Sequence, residues 1–333
     1  MIGRAGRPVT ITGLGCYVPK RVVTNDDLRK YVDTSDEWVQ SRTGILERRI
    51  AARDEAMTDV ALPACKRALE MAGVEASSID LLVVATVTPD MAFPSTAALL
   101  ADQLGMPHAG AYDLSAGCTG FMYAIAQAYS MVATGLSQRA LVVGGDVLSK
   151  ILDWDDRSTL VLFGDGAGAV VLEAADTGGF LGFELGADGG GGATLCLPGS
   201  GSRLFDDPGR QIKMNGREVF KFATRVMVSS AQAILAECGK TVDDIDVYVP
   251  HQANIRIINH AVEKLGVARE KVVINVDRYG NTSSGSIPLA LADAADDGRL
   301  GPGKLVLMTG MGAGLTWGSA LMEWTHLTTG AAA

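Results

Sequence analysis

A chain of 333 residues has room for two ordinary domains or one large duplicated one. Its composition, 47% hydrophobic and 20% charged, is that of a globular protein in water. A net charge of −9 speaks against a nucleic-acid partner, and no apolar run is long enough to span a bilayer, so no membrane role is expected.

Residues 1–7 carry no apolar signal-like core. The five cysteines, at positions 16, 65, 118, 196 and 238, are odd in number, scattered, and never in a CxxC spacing. That argues for a reducing cytosol and against a disulfide framework or a zinc site. The 40 glycines exceed the ordinary share and fall at turns, as in a tightly packed α/β protein.

In chain order, 9–15 reads as a first strand. Thr34-Ser35-Asp36-Glu37 has the form of a capping box, with Thr34 as the cap and Glu37 reaching back. The helix it opens should stop at Gly44, with Trp38 and Arg42 on one face. Helices are expected over 56–72, with Pro63 inside, and 97–104. Buried strands are expected at 81–85 and 140–144. Between them lies Tyr112-Asp113-Leu114-Ser115-Ala116-Gly117-Cys118-Thr119-Gly120, followed by a mostly apolar helix ending near Thr134-Gly135. The stretch 160–172, interrupted by Gly164-Asp165-Gly166-Ala167-Gly168, reads as two strands in close approach. Residues 176–216, rich in Gly, Asp and Pro, read as a connector with surface loops. A helix over 218–238, a strand at 247–249, a helix over 255–265, a strand at 272–276, a helix over 288–295 and a strand at 305–308 complete the chain. Alternating strands and helices imply a mostly parallel sheet covered on both faces.

The chain also repeats itself. Ala72-Gly73 and Cys238-Gly239 are each followed, six residues after the glycine, by Ile-Asp and an apolar strand, at an offset of 166. Leu104-Gly105 matches Leu265-Gly266 at 161, Asp113 matches Asp277 at 164, and Cys118 falls opposite Asn281 at 163. A held offset is the mark of a duplicated architecture, here 1–175 and 176–333. A site is then expected beyond the carboxyl ends of the strands, where both halves can supply residues.

Cys118 stands at the start of a buried helix, where unpaired N–H groups favour a thiolate and should lower its pKa. A small buried core cysteine is the alternative. Of the four histidines, His251 is the best placed, directly after the strand Val247-Tyr248-Val249-Pro250; without a partner it could equally be a loop histidine. Asn281 also follows a strand, where asparagine is otherwise an ordinary turn residue. The glycine run at 164–168 opens no helix and lacks the acidic residue of a nucleotide loop.

The triple Cys118, His251 and Asn281 resembles that of the β-ketoacyl-acyl-carrier-protein synthase III enzymes, which initiate bacterial fatty acid synthesis. So do the stretches Asp33-Thr34-Ser35-Asp36-Glu37-Trp38, Ser41-Arg42-Thr43-Gly44-Ile45, Phe163-Gly164-Asp165-Gly166-Ala167-Gly168, Val249-Pro250-His251-Gln252-Ala253-Asn254 and Tyr279-Gly280-Asn281-Thr282-Ser283. The resemblance runs from Thr10 to Trp324. It implies a thiolase-like five-layer αβαβα sandwich of two similar halves, a homodimer, and no permanently bound cofactor. It implies that Cys118 takes an acyl group from an acyl-CoA, then passes it to malonyl-acyl carrier protein with loss of CO₂, in a cytoplasmic enzyme.

On the same resemblance, Cys118 and Ala313 supply the oxyanion backbone N–H groups, and His251 and Asn281 steady the enolate. Thr34, Trp38, Arg42, Arg157, Gly216 and Asn254 hold coenzyme A, in part by stacking and cation–π contact. Gln252, Ala253, Ile255, Arg256 and Lys221 dock the carrier protein, and Phe93 and Met311 shape the primer pockets, Phe93 that of the partner subunit. On residue type alone, Trp38 also fits a core and Arg42 a solvated charge. The glycine loop Thr309-Gly310-Met311-Gly312-Ala313-Gly314-Leu315 lacks the second cysteine by which a thiolase forms its carbanion, so the carbanion must come from CO₂ loss. It carries Met311 where the family has Phe. A secondary-metabolite ketosynthase of the same fold, or a catalytically silent binding subunit, are the alternatives.

Overall fold

Two apolar helices lie back to back between two sheets and set the architecture. The structure, a computed structural model, describes residues 6–202 and 209–326. The first half runs β1 (Val9–Tyr17), β2 (Arg21–Thr24), α1 (Asn25–Leu28), α2 (Asp36–Thr43), β3 (Glu47–Ile50), α3 (Met57–Ala72), β4 (Leu81–Ala85), α4 (Thr96–Leu104), β5 (Gly110–Leu114), α5 (Gly120–Ala133), β6 (Arg139–Asp146), α6 (Arg157–Leu160) and β7 (Gly166–Ala174). The second runs β8 (Gly179–Ala187), β9 (Leu195–Cys196), β10 (Lys213–Met214), α7 (Gly216–Glu237), β11 (Val247–Pro250), α8 (Ile255–Leu265), α9 (Val276–Tyr279), α10 (Ser286–Asp296), β12 (Leu305–Gly312) and β13 (Thr316–Glu323).

The larger sheets have the orders β1-β7-β6-β4-β5 and β11-β12-β13-β8. Helix α5 is apolar over most of its surface, with Phe121, Met122, Ala124, Ile125, Ala128 and Val132 buried, the composition of a helix that packs on several sides. It shares the central core with α10 and both sheets. Helix α3 covers the outer face of the first sheet, and α7 and α8 that of the second. The order of layers is αβαβα, as the resemblance implies. Among the described residues no helix is long and apolar enough to cross a membrane.

The repeat is visible in the backbone. Gly73 and Gly239 both end a helix with positive φ, at 66° and 63°. Each is followed by a short 3-10 turn and then a parallel strand, β4 or β11. Gly105 and Gly266 likewise close α4 and α8, at 71° and 75°. A residue with no Cβ takes this left-handed position without steric cost.

Several expectations are corrected. The sheets are mixed: β4 pairs in parallel with β5 and β6, and β11 with β12, but β7 is antiparallel to both neighbours, as is β13. The stretch 160–172 holds one strand, β7, preceded by the end of α6 and an isolated bridge from Phe163 to Asn281. The connector 176–216 contains β8, which joins the second sheet along β13; its residues 203–208 lie outside the described ones. The stretch 272–276 is not a strand. Only Val272 bridges to Tyr248, because the side chain of Gln252 takes the N–H groups of Asn275 (3.0 Å) and Val276 (3.2 Å) that a neighbouring strand would otherwise take. The cap of α2 is Ser35, one residue later than expected, with its hydroxyl accepting from Trp38 N.

Candidate active site

Cys118 lies in a 3-10 turn, Gly117–Thr119, that runs straight into α5. The turn fits only because its neighbours are glycines. Gly117 has φ +55°, and a Cβ there would meet Ala313 O at 2.7 Å. A Cβ on Gly312 would meet Cys118 N at 2.6 Å. The β12–β13 turn can therefore lie directly on the cysteine, and the N–H of Ala313 acts on its sulfur.

His251 follows β11 and is held by its N–H donating to Thr309 O at 2.8 Å. Its Nδ1 lies 2.5 Å from Ser286 Oγ. That oxygen also faces the N–H of Gln252 at 3.4 Å, and its own proton is able to serve Nδ1. Nε2 then carries the ring proton. Burial pushes the imidazole pKa down to about 4, so the ring is neutral at pH 7 and offers a neutral donor.

Asn281 is fixed by its backbone, with N donating to Leu162 O at 2.9 Å and O accepting from Gly164 N at 3.0 Å. Its Oδ1 accepts from Ser283 N at 2.9 Å, which leaves the NH₂ end as a second neutral donor.

These three side chains, from the two sequence repeats, line one cavity of about 690 Å³. A second, apolar cavity of about 110 Å³ continues past Cys118, between Val87, Leu148, Ile151, Phe163, Leu197 and Ile212. The nucleophile candidate thus stands where a wide cavity meets a small apolar one. A sulfur with a backbone N–H beside it and two neutral donors can hold an acyl group and stabilise negative oxygen.

One expectation about Cys118 fails. Burial pushes its thiol up to about 11, with the Ser283 hydroxyl and the Ala313 N–H pulling down and Asp146 pushing up. The N–H groups at the helix start do not offset the loss of water, so the resting group is a thiol.

The mouth of the large cavity is basic. Arg42, Arg217, Lys221 and Arg256 line it, with no acidic side chain in its wall among the described residues. Trp38 also lines it, with the guanidinium carbons of Arg157 and Arg42 at 4.7 and 5.8 Å from its ring centre. Asn254 caps α8 by accepting from Arg256 N at 2.8 Å and donates to Arg42 O at 3.1 Å, tying α8 to α2. Gly216, Ala253 and Met311 line the same cavity.

Other expected residues stand elsewhere. Thr34 is outside the cavity wall, its hydroxyl buried without a hydrogen-bond partner. Gln252 is fully buried, its amide donating to Pro250 O and Val273 O, so it cannot meet a carrier protein. Ile255 packs against Gly44. Phe93 is 85% exposed and touches neither cavity of its own chain. Sequence reasoning missed Ser286, which sets the His251 tautomer, and Phe220, over which Arg256 lies at 5.3 Å. A serine just before a helix reads as an ordinary cap, so nothing in the sequence singled out Ser286.

Comparison with known proteins places nearly the whole chain beside one family. Family models described as 3-oxoacyl-[acyl-carrier-protein (ACP)] synthase III and its C-terminal part match residues 112–189 and 235–324. A β-ketoacyl-[acyl-carrier-protein] synthase III of Symbiobacterium thermophilum is 53% identical over 325 residues, covering 96% of this chain and 98% of the relative. The corresponding crystal structure from Thermus thermophilus has a TM-score of 0.90 at 50% identity, covering 97% of this chain and all of the other. The priming β-ketosynthase of the R1128 polyketide pathway superposes with a TM-score of 0.92 at 38% identity, covering 98% and 99%.

Proposed function

The chain belongs to the 3-oxoacyl-[acyl-carrier-protein] synthase III family, and from that premise we propose how its own residues carry out the family's reaction. The protein is an acyltransferase that condenses an acyl-CoA primer with malonyl-acyl carrier protein, giving 3-oxoacyl-acyl carrier protein, CoA and CO₂, and so initiates fatty acid synthesis. The higher identity to the synthase III relatives than to the polyketide priming enzyme favours this over a secondary-metabolite role.

Cys118 attacks the primer thioester, and the N–H groups of Cys118 and Ala313 take the oxyanion. Trp38, Arg42 and Arg157 hold the adenine end of coenzyme A at the mouth, with Gly216 and Asn254 along the tunnel. The acyl chain enters the small apolar pocket, whose 110 Å³ suits a short primer. Malonyl-acyl carrier protein then enters by the same tunnel. Loss of CO₂ places charge on its thioester oxygen. The Nε2–H of His251 and the amide of Asn281 stabilise that charge without giving up a proton, so the carbanion survives to attack the acyl group on Cys118. The loop from Thr309 to Leu315 offers no cysteine base, which suits a carbanion made by decarboxylation.

An acidic carrier protein would meet the basic mouth, with Arg256 and Lys221 as contacts, despite the net charge of −9. Strand β5 is the open edge of its sheet, and beside it lies a largely apolar groove lined by Leu114, Tyr123, Ala126, Met131 and Leu185. An unpaired edge is a template for a further strand, and we assign it to a second copy of this chain. Cys65, Cys118, Cys196 and Cys238, none of them in a disulfide, suit a cytosolic setting.

The carrying observation is the convergence of Cys118, His251 and Asn281 on one cavity floor. Intact-protein mass spectrometry tests it. Acetyl-CoA and other short acyl-CoAs should each add one acyl mass to the wild type and none to Cys118→Ala. Malonyl-acyl carrier protein should clear the adduct and release the 3-oxo product. Absence of any acyl mass would remove this reading.

A further inference from the structure

A charged side chain sealed inside the first half has no part in the mechanism above. Arg48, on β3, is 1% exposed and is among the largest side chains wholly inside the protein. A buried charge is costly unless its surroundings hydrogen-bond it. Arg48 directs its bonds to neutral oxygens. Nη1 donates to Val23 O at 3.2 Å and to Asn25 Oδ1 at 2.9 Å. Nη2 donates to the same Asn25 oxygen at 2.9 Å and to Val161 O at 2.9 Å. Nε has no partner among the described residues. Asn25 is itself buried, and its amide donates to Asp36 Oδ1 and Ile45 O, both at 2.8 Å. Burial lowers the Arg48 pKa to about 10, with Glu47 and Asp36 holding it up, so the guanidinium is a cation at pH 7.

The guanidinium fork reaches the segment that holds Asn281. Val161 closes α6, where a helix leaves carbonyls unpaired and favours a cation. The next residues run beside Asn281. Leu162 O accepts from Asn281 N at 2.9 Å, Phe163 bridges to Asn281, and Gly164 N donates to Asn281 O at 3.0 Å. The stem of Arg48 lies at the same crossing. A Cβ on Gly164 would come 3.0 Å from Arg48 Cβ, and one on Gly280, the residue before Asn281, would come 3.3 Å from it. The neighbouring β3 residue completes the frame, with Arg49 O accepting from Asp165 N at 2.8 Å.

We infer that Arg48 is a positioning residue for the condensation step: by holding Val161 O and packing against Gly164 and Gly280, it fixes the strip of backbone that sets where the Asn281 amide points. The Asn281 side chain is tied through Oδ1 to Ser283 N, and the aim of its NH₂ end follows the backbone beneath it. A donor aimed at a developing negative oxygen loses much of its effect when it is misplaced by about 1 Å. Arginine suits this place because its planar fork meets several oxygens in fixed directions, which the point charge of a lysine does not. Arg48 lies in neither cavity wall, so it acts through Asn281 and not on substrate. Asn281 serves the decarboxylating half of the reaction, so the effect of Arg48 falls on that half and not on acylation of Cys118.

This rests on the reading of Asn281 as a donor to the enolate oxygen, and the experiment keeps the two apart. Saturating acetyl-CoA loads the intact enzyme, and mass spectrometry follows the acyl mass on Cys118. Saturating malonyl-acyl carrier protein then clears it. Asn281→Ala sets the scale, because loss of one donor to a negative oxygen should slow clearance about 10²–10³-fold. Arg48→Lys should load at nearly the wild-type rate and clear about ten- to a hundredfold more slowly. In the Asn281→Ala background it should slow clearance little further, since a residue that acts through another is not additive with it. Asn25→Ser removes the oxygen shared by both Nη atoms and leaves the charge in place. It should show the same split at smaller size, and it carries the test if Arg48→Lys does not fold. Equal slowing of loading and clearance would overturn the proposal and leave Arg48 a general prop of the fold. Full additivity with Asn281→Ala, or wild-type clearance by a folded Arg48→Lys, would overturn it too. Wild-type clearance by Asn281→Ala would instead remove the reading on which it rests.

Discussion

His251 illustrates how burial selects one protonation state for chemistry and charges stability for it. Its pKa lies near 4, below the ordinary value of about 6.5. Between those values the unfolded chain binds the proton and the native chain does not, so native stability is full above pH 6.5 and is lost as pH falls towards 4. A gap of that size amounts to about 3 kcal/mol at one buried site. Denaturant unfolding of the wild type and His251→Gln, at equal protein concentration, should therefore show a difference that shrinks by about this amount from pH 6.5 to pH 4. A constant difference would mean that the ring is not held neutral. Other buried groups titrate in the same range, among them Asp165, which burial raises to about 6, but they cancel between the two proteins. At this scale the sequence was only partly legible. Cys118, His251 and Asn281 stood out by residue type and by their places after strands. Ser286 and Arg48 did not, because a serine opening a helix and an arginine in a short strand are ordinary until the fold brings them beside a buried ring and the segment that holds Asn281.

Secondary structure was legible where burial wrote a pattern into the chain. Continuous apolar runs gave β4, β6 and β12, and Gly44 gave the end of α2. Elements whose stability comes from elsewhere were missed. Strand β5 mixes Gly110, Ala111 and Asp113 because it is an edge, and β13 carries the small residues Gly318, Ser319 and Ala320 in its middle, where it packs between β12 and β8. Gln252 erased a strand by occupying its donors from a position that reads as a loop. The end of α2 shows how such local devices serve the site. Gly44 has φ +78°, and a Cβ there would lie 2.6 Å from the Cβ of Ile255, the first residue of α8. This contact, with the Asn254–Arg42 bond, sets the helix bearing Trp38 and Arg42 against the cavity mouth. Gly44→Ala should cost about 1–2 kcal/mol for the left-handed position, more with the clash. It should also raise KM for acyl-CoA while leaving the rate of Cys118 alkylation by iodoacetamide nearly unchanged. Equal loss of both would place the damage in the core, not at the mouth.

For the whole molecule, the repeat at offsets of 161 to 166 anticipated two related halves and a site between them, because a duplicated chain brings the same strand ends to one floor. What no pattern of one chain could give is the mixed order of the sheets, which depends on which strands meet by hairpin, or the role of a residue that serves another copy. On the proposed dimer, Phe93 would be such a residue. A phenylalanine left 85% exposed forfeits the burial that usually keeps an aromatic side chain inside, and Met91, 48% exposed, lies beside it. An open β5 edge and the apolar groove between β5, α5 and β8 offer a second copy a place to bind, and burial of Phe93 against that copy would recover the loss. Sedimentation should then give twice the 34.8 kDa chain mass. Phe93→Ala should remain folded, since its own subunit barely contacts the ring, yet shift primer preference towards longer acyl-CoAs in the competition of primers for Cys118. A dimer with unchanged preference would separate assembly from primer choice and leave the 110 Å³ pocket as the sole gauge of chain length. A monomer that still acylates with wild-type selectivity would show that each chain builds its complete primer site alone, and Phe93 would then need a partner of another kind to account for its exposure.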